Sequence, residues 1–149
     1  VIKEITKPIT RPMTASDIPS LVLEQESLRE VYYEYFDEGR GPAWVLEDEG
    51  GPIACFGATI LWPGVCEVWF SLIRSDRNIV AIRSVKRFLK DQGERFGVKR
   101  FQSSVNVNNK VSIKFVEFFG FKNETPKGMK SYLPNGDDAY LFSRTTNEK

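Results

Sequence analysis

The chain of 149 residues contains no histidine. That removes Ser-His and Cys-His nucleophilic machinery and leaves carboxylates, tyrosine, lysine, cysteine, a terminus or water to carry protons. The densest chemistry lies around Glu67. This residue opens a strand-like run, Glu67-Val-Trp-Phe-Ser-Leu-Ile73, which meets the polar connection Arg74-Ser-Asp-Arg77-Asn78 before a helical pattern begins at Ile79. Backbone N–H groups at a helix start lack intrahelical acceptors and can receive phosphate. Arg74, Arg77, Asn78 and Ile79 are therefore the expected phosphate-receiving stretch, with the two arginines neutralising charge.

Cys55 and Cys66 both sit in apolar, strand-like sequence, where a thiol behaves as a small buried hydrophobe. Two cysteines make no disulfide framework for a chain of this length, and without histidine no zinc site is expected.

Several elements have to hold these groups in place. The strand into Ile73, a helix over Ile79 to Gly97 and a strand over Arg100 to Val105 form a βαβ unit, which makes its two strands parallel. The helix places Ile79, Ile82, Val85, Leu89 and Phe96 near one face, with Arg83, Lys86, Arg87 and Lys90 mainly elsewhere. Asn106 to Asn109 can cap a further helix, which carries Phe115, Phe118 and Phe119 as a packing surface and closes on Gly120-Phe121. Ahead of this unit, Ala43 to Glu47 and Ile53 to Trp62 read as strands joined by Asp48-Glu-Gly50-Gly51-Pro52. Pro63-Gly64 then turns the chain into a third antiparallel strand, Val65 to Ile73.

At the front, Ile2 to Thr10 reads as an edge strand whose pairing Pro8 limits. Ser16 or Asp17 caps a short helix bearing Ile18, Leu21 and Val22. Glu24 to Phe36 is an acidic helix with Leu28, Val31, Tyr32, Tyr35 and Phe36 near one side, ended by Gly39-Arg-Gly41-Pro42. At the back, Lys122 to Ser131 reads as a mobile loop, Tyr132-Leu133 as a strand extension and Pro134 to Asp138 as a turn. Ala139 to Ser143 is the final strand, and Arg144 to Lys149 a frayed tail.

With 41% hydrophobic and 13% aromatic residues the chain can bury one domain's core. It has no apolar run long enough to span a membrane, and its first residues are too polar for a signal peptide, so a soluble cytoplasmic protein with no membrane partner is expected. Charge is unevenly spread: residues 1–60 carry five Lys/Arg against eleven Asp/Glu, and residues 61–149 carry sixteen against nine. An acidic front suits a cationic partner and a basic back an anionic one. Arg83, Lys86, Arg87, Lys90, Arg95, Lys99 and Arg100 raise nucleic acid as a partner. No base-stacking aromatic pattern accompanies them, so a solvated helix face is the preferred reading.

In this order the elements resemble the GCN5-related N-acetyltransferase (GNAT) superfamily over nearly the whole chain. Asn109-Lys-Val-Ser112-Ile-Lys-Phe115-Val116-Glu-Phe-Phe119-Gly120-Phe121 looks like the family's Asn-x-x-Ala-x-x-Phe-Tyr-x-x-Leu-Gly-Phe segment, with Ser112, Val116 and Phe119 replacing Ala, Tyr and Leu. Arg11-Pro-Met-Thr-Ala-Ser-Asp17-Ile18 resembles the family's first strand and the start of its first helix. The resemblance implies one α/β (α+β) domain over residues 1–149. Its sheet is mixed and mostly antiparallel around a parallel βαβ unit, in the order β-α-α-β-β-β-α-β-α-β-β. It also implies acetyl-CoA as cofactor, an acyl-CoA thioester and a cationic amine as partners, Glu67 as general base, and Leu72, Ile73, Asn109 and Phe115 beside the coenzyme. A homodimer is compatible with it.

The sequence departs from the family in two places. The family's Arg/Gln-x-x-Gly-x-Gly/Ala loop, started at Arg77, puts Val80 and Ile82 at the small positions; started at Arg74, it puts Arg77 and Ile79 there. Neither register offers a glycine, and side chains at these positions crowd a ligand. Val116 stands where many members carry a tyrosine that protonates the departing thiolate, leaving Tyr132, Tyr140 or water for that task. These departures define a second expectation: a catalytically inactive GNAT-fold binding or assembly module in which Arg77, Ile79 or Ile82 fills the cofactor cleft. The Gly-Phe and Gly-Asp-Asp-x-Tyr ending also resembles phage virion-associated and accessory proteins with eroded GNAT motifs, which would imply a structural or host-directed role.

Overall fold

The computed structural model describes residues 7–21, 28–39 and 41–146. Strand β1, Ile9–Pro12, lies later than the expected Ile2 to Thr10, whose residues 2–6 fall outside the described residues. It pairs antiparallel with β2, Ala43–Asp48, in the register Arg11↔Val45. The expected first helix is a 3-10 turn, Ala15–Ser20, because Pro19 supplies no N–H and blocks α-helical continuation. Asp17 closes this turn by accepting the Thr14 N–H at 2.9 Å. Helix α1, Leu28–Asp37, covers the later part of the acidic helix; Glu24 and Val22 lie outside the described residues, as does Arg40 in its terminator. Gly39 ends it in a left-handed conformation, φ 62°, which glycine adopts without strain.

The three-strand meander is present as β2, β3 (Gly51–Trp62) and β4 (Val65–Leu72). A short 3-10 turn at Ser75–Arg77 leads into α2, Asn78–Phe96, which is followed by β5, Arg100–Asn106. Strands β4 and β5 run parallel through Val65↔Arg100, Cys66↔Phe101 and Glu67↔Gln102. Helix α3, Lys110–Phe118, starts at Asn109, whose side chain accepts the Ser112 N–H. Two strands close the fold, β6 (Lys122–Asn123) and β7 (Ala139–Thr145). Among the described residues the sheet has seven strands in the order β1-β2-β3-β4-β5-β7-β6, and it is mostly antiparallel with one parallel pair, the mixed character that was expected.

Several expectations at the back need correction. Lys122-Asn123 form β6 against β7 instead of loop, and Tyr132-Leu133 lie outside any strand. Arg144 and Thr145 belong to β7, and the Thr146 N–H donates to the Lys99 carbonyl, so this part of the expected tail is paired; residues 147–149 are outside the described residues. The buried face of α2 is Ala81, Val85 and Leu89, whereas Ile79 and Phe96 are 61% and 67% exposed. In α3 and its cap, Val116 and Phe119 are buried, and Phe118 is exposed.

The described chain forms two compact units, residues 1–59 with 69–85, and residues 60–68 with 86–149. In the first, Met13, Ile18, Leu21, Tyr35, Ala43, Val45 and Cys55 form a buried cluster, with Tyr32, Phe36, Trp69 and Ile73 packed on it. In the second, Phe101, Val105, Val116, Phe121 and Phe142 are buried. There Gly93 lets α2 approach β5: an added Cβ would meet the Phe101 ring at 3.2 Å.

Candidate functional site

Of the expected site residues, Leu72, Ile73, Arg74, Arg77, Asn78 and Ile79 belong to the first unit, and Glu67, Asn109 and Phe115 to the second. Each group has its own geometry.

In the first unit the end of β4 is fixed by backbone bonds. The N–H groups of Ile73 and Arg74 both donate to the Ile53 carbonyl, at 2.8 and 3.0 Å. The Arg77 N–H donates to Arg74 O at 3.1 Å, and the Asn78 N–H to Ser75 O. These four amides are already bonded within the chain, so the donors left for an anion include the arginine side chains and the helix start beyond Asn78, where Ile79 stands open to solvent.

Both arginines already meet an anion. Arg74 Nη1 lies 2.5 Å from Asp48 Oδ1, and Arg77 Nε lies 3.3 Å from Asp48 Oδ2. The Gly50 N–H reaches the same Oδ1 at 2.8 Å, and Arg74 Nη1 also donates to Gly51 O at 3.3 Å. The Arg74 guanidinium, followed by the Gly50 N–H, holds the Asp48 carboxyl below its ordinary range. Arg77 Nε is buried, and its approach to Asp48 is not aligned as a hydrogen bond. Asp48 is the residue that sequence reasoning missed: it reads as hairpin punctuation, and nothing in its own neighbourhood signals a partner at Arg74.

The first unit also gathers aromatic rings. Trp69 meets Tyr32 edge-on at 5.0 Å between centroids and Tyr35 at 6.1 Å. Desolvation pushes the Tyr32 hydroxyl up to about 12 and also raises that of Tyr35, so both hydroxyls stay protonated near neutrality. Tyr35 Oη donates to Ala58 O at 3.1 Å. Of the acidic front, Glu30, Glu34 and Asp37 on α1 are exposed, whereas Asp17 is buried and bonded to Arg11 at 2.8 Å.

In the second unit Glu67 is half-buried on β4 and paired in register with Gln102. The Ser104 hydroxyl donates to Glu67 Oε1 at 3.5 Å, a long and weak bond that leaves the carboxylate oxygens room for further hydrogen bonds. Asn109 is the α3 cap, and Phe115 is half-buried. Val116 is buried and brings no donor. Tyr132 is 53% exposed, and Tyr140 lies edge-on to Phe142 in β7. Cys66 is buried, and desolvation raises its thiol, which places it in the core.

No protein-family model matches the chain, and a search of curated proteins finds no match. Among solved structures it is similar to the IAA acetyltransferase from Bacillus cereus, with TM-score 0.74 and 13% identity over 93% of this chain and 99% of that one. It is similar to the ribosomal-protein-S18-alanine N-acetyltransferase from Escherichia coli, with TM-score 0.71 and 17% identity over 93% of both chains. The ribosomal-protein-S5-alanine acetyltransferase from Vibrio fischeri matches with TM-score 0.69 and 17% identity over 99% of this chain and 98% of that one. At this level of identity the likeness establishes the fold, which is that of the GNAT acetyltransferases.

No helix among the described residues is long and apolar enough to cross a membrane.

Proposed function

We propose that the protein is a single-domain N-acyltransferase of the GNAT type, which moves an acyl group from a coenzyme A thioester to an amine and whose coenzyme loop lacks glycine. One observation carries this reading: Arg74 and Arg77, at the start of α2, converge on a single carboxylate. The place is chemically an anion site, built from guanidinium groups instead of a glycine-lined backbone cradle. It fits a phosphate in charge and in donor type.

When bound, the coenzyme supplies the activated acyl group. Arg74 and Arg77 would hold its phosphates, with the α2 start at Asn78 and Ile79 facing the same charge. Glu67 would take the proton of a cationic amine, and the Ser104 hydroxyl would steady that carboxylate. The excess of Asp and Glu over Lys and Arg in residues 1–60 favours a cationic acceptor. The named activities of the similar structures, on alanine of ribosomal proteins, support an amine as the acceptor class.

Coenzyme A should raise the melting temperature of the chain, and Arg74→Ala should remove the rise. No rise at millimolar coenzyme A, in the native chain or in an Asp48→Asn variant, would overturn the reading. The second reading, a non-catalytic binding or assembly module of the same fold, is favoured by Val116, buried where a proton donor would stand. The side chains first expected to plug the site do not support it uniformly: Ile79 is exposed, while Arg77 is partly covered beside Asp48.

A further inference from the structure

Asp48 lies at the very arginines that the proposed function assigns to the coenzyme's phosphates. We infer that its carboxylate is a built-in competitor: the turn between β2 and β3 is a latch on Arg74 and Arg77, released when a diphosphate takes their donors. The inference rests on the acyl-CoA reading and adds to it how the site is regulated.

The turn is fastened to Arg74 at three points. Asp48 Oδ1 is 2.5 Å from Nη1, Gly51 O accepts from the same nitrogen at 3.3 Å, and Gly50 lies flat against the guanidinium. A Cβ at Gly50 would stand 2.7 Å from Nη1, so only glycine allows this approach without displacing the arginine. The Asp48 side chain is 12% exposed, against 26% for Arg74 and 21% for Arg77, so the pairing is largely covered from solvent. Asp76 adds little, being 71% exposed and 3.7 Å from Arg74 Nε.

The carboxylate nevertheless fills the site incompletely. Arg77 Nε is buried with no aligned acceptor among the described residues. A carboxylate offers two oxygens, whereas a diphosphate offers more acceptors around each phosphorus and more negative charge, so it can satisfy both guanidinium groups together. The latch can yield because its turn holds two successive glycines, and Gly51 already sits at φ 103°. Displaced, Asp48 moves into water, where a carboxylate is stable.

Calorimetric titration of the full chain with coenzyme A, and separately with inorganic pyrophosphate, tests this. Asp48→Asn keeps the shape and removes the charge, and it should bind both probes roughly tenfold tighter than the native chain. Adding Arg74→Ala should cancel the gain. Equal affinity in the native chain and Asp48→Asn overturns the latch while leaving the acyl-CoA reading in place. Absence of binding in both, with Asp48→Asn still folded by circular dichroism, overturns both. Should that variant fail to fold, amide exchange at Gly50 in the native chain decides. Its N–H is held by Asp48 and should exchange faster when coenzyme A saturates the protein; unchanged protection overturns the latch.

Discussion

Arg11 grips Asp17 through two hydrogen bonds, Nη1 to Oδ2 at 3.0 Å and Nη2 to Oδ1 at 2.8 Å. The same guanidinium reaches Glu47 on β2 through Nε at 2.9 Å. One side chain thus ties β1 to the 3-10 turn that follows and to the strand beside it.

Asp17→Asn should destabilise the protein by about 2 kcal/mol, since it breaks a fork-shaped, charge-assisted pair and leaves Arg11 with less compensation. The Arg11 guanidinium, foremost, holds the Asp17 carboxyl below its ordinary value of 3.8. A depressed folded value means that the stabilisation is present above the unfolded value and is lost as pH falls through the folded one. Urea unfolding from pH 7 downward should therefore show an acid loss below about pH 4 that shrinks in Asp17→Asn. Identical pH profiles for the two proteins would rule the pair out as a stabilising element.

Gly57 faces the Trp69 indole so closely that an added Cβ would stand 2.4 Å from Nε1. Gly57→Ala has to push Trp69 off its edge-on contacts with Tyr32 and Tyr35, at a cost of about 2 kcal/mol, typical of overpacking in a dense interior. A fall in urea midpoint with altered tryptophan fluorescence is expected; unchanged stability would mean that the ring shifts freely.

Glu67→Gln should lower kcat for acyl transfer to an amine by roughly a hundredfold, within the range for loss of a positioned base, with coenzyme A affinity unchanged. Preserved turnover would remove Glu67 from the chemistry. Loss of coenzyme binding together with turnover would assign it a structural role instead.

What was legible in the sequence was mainly local. The Asn109 cap, the Gly-rich turn after Asp48 and the Gly39 terminator act through their own neighbours, so their residue types disclose them. Hydrophobic spacing located α2 and its buried Val85 and Leu89, but it wrongly added the end residues Ile79 and Phe96. Ala81 and Gly93 carry little hydrophobic signal, yet they allow close packing, while Ile79 and Phe96 extend past the covered part of the helix. The capping pattern around Asp17 disclosed a helix start, whereas Pro19 inside it limits the element to a 3-10 turn. The Asp48–Arg74 contact spans 26 positions and depends on where two turns come to rest, which no local rule encodes. Glycine absence from the loop was plain; what replaced it was not.

Strand β7 lies between β5 and β6 in the sheet although both precede it in the chain. Until Ala139–Thr145 has been made, β5 presents a bare rim of amides and carbonyls along Arg100 to Asn106, and β6 has nothing to dock on. A chain without β7 would therefore offer that rim to a strand from another molecule, and pairing with its own β7 both covers the rim and gives β6 its partner.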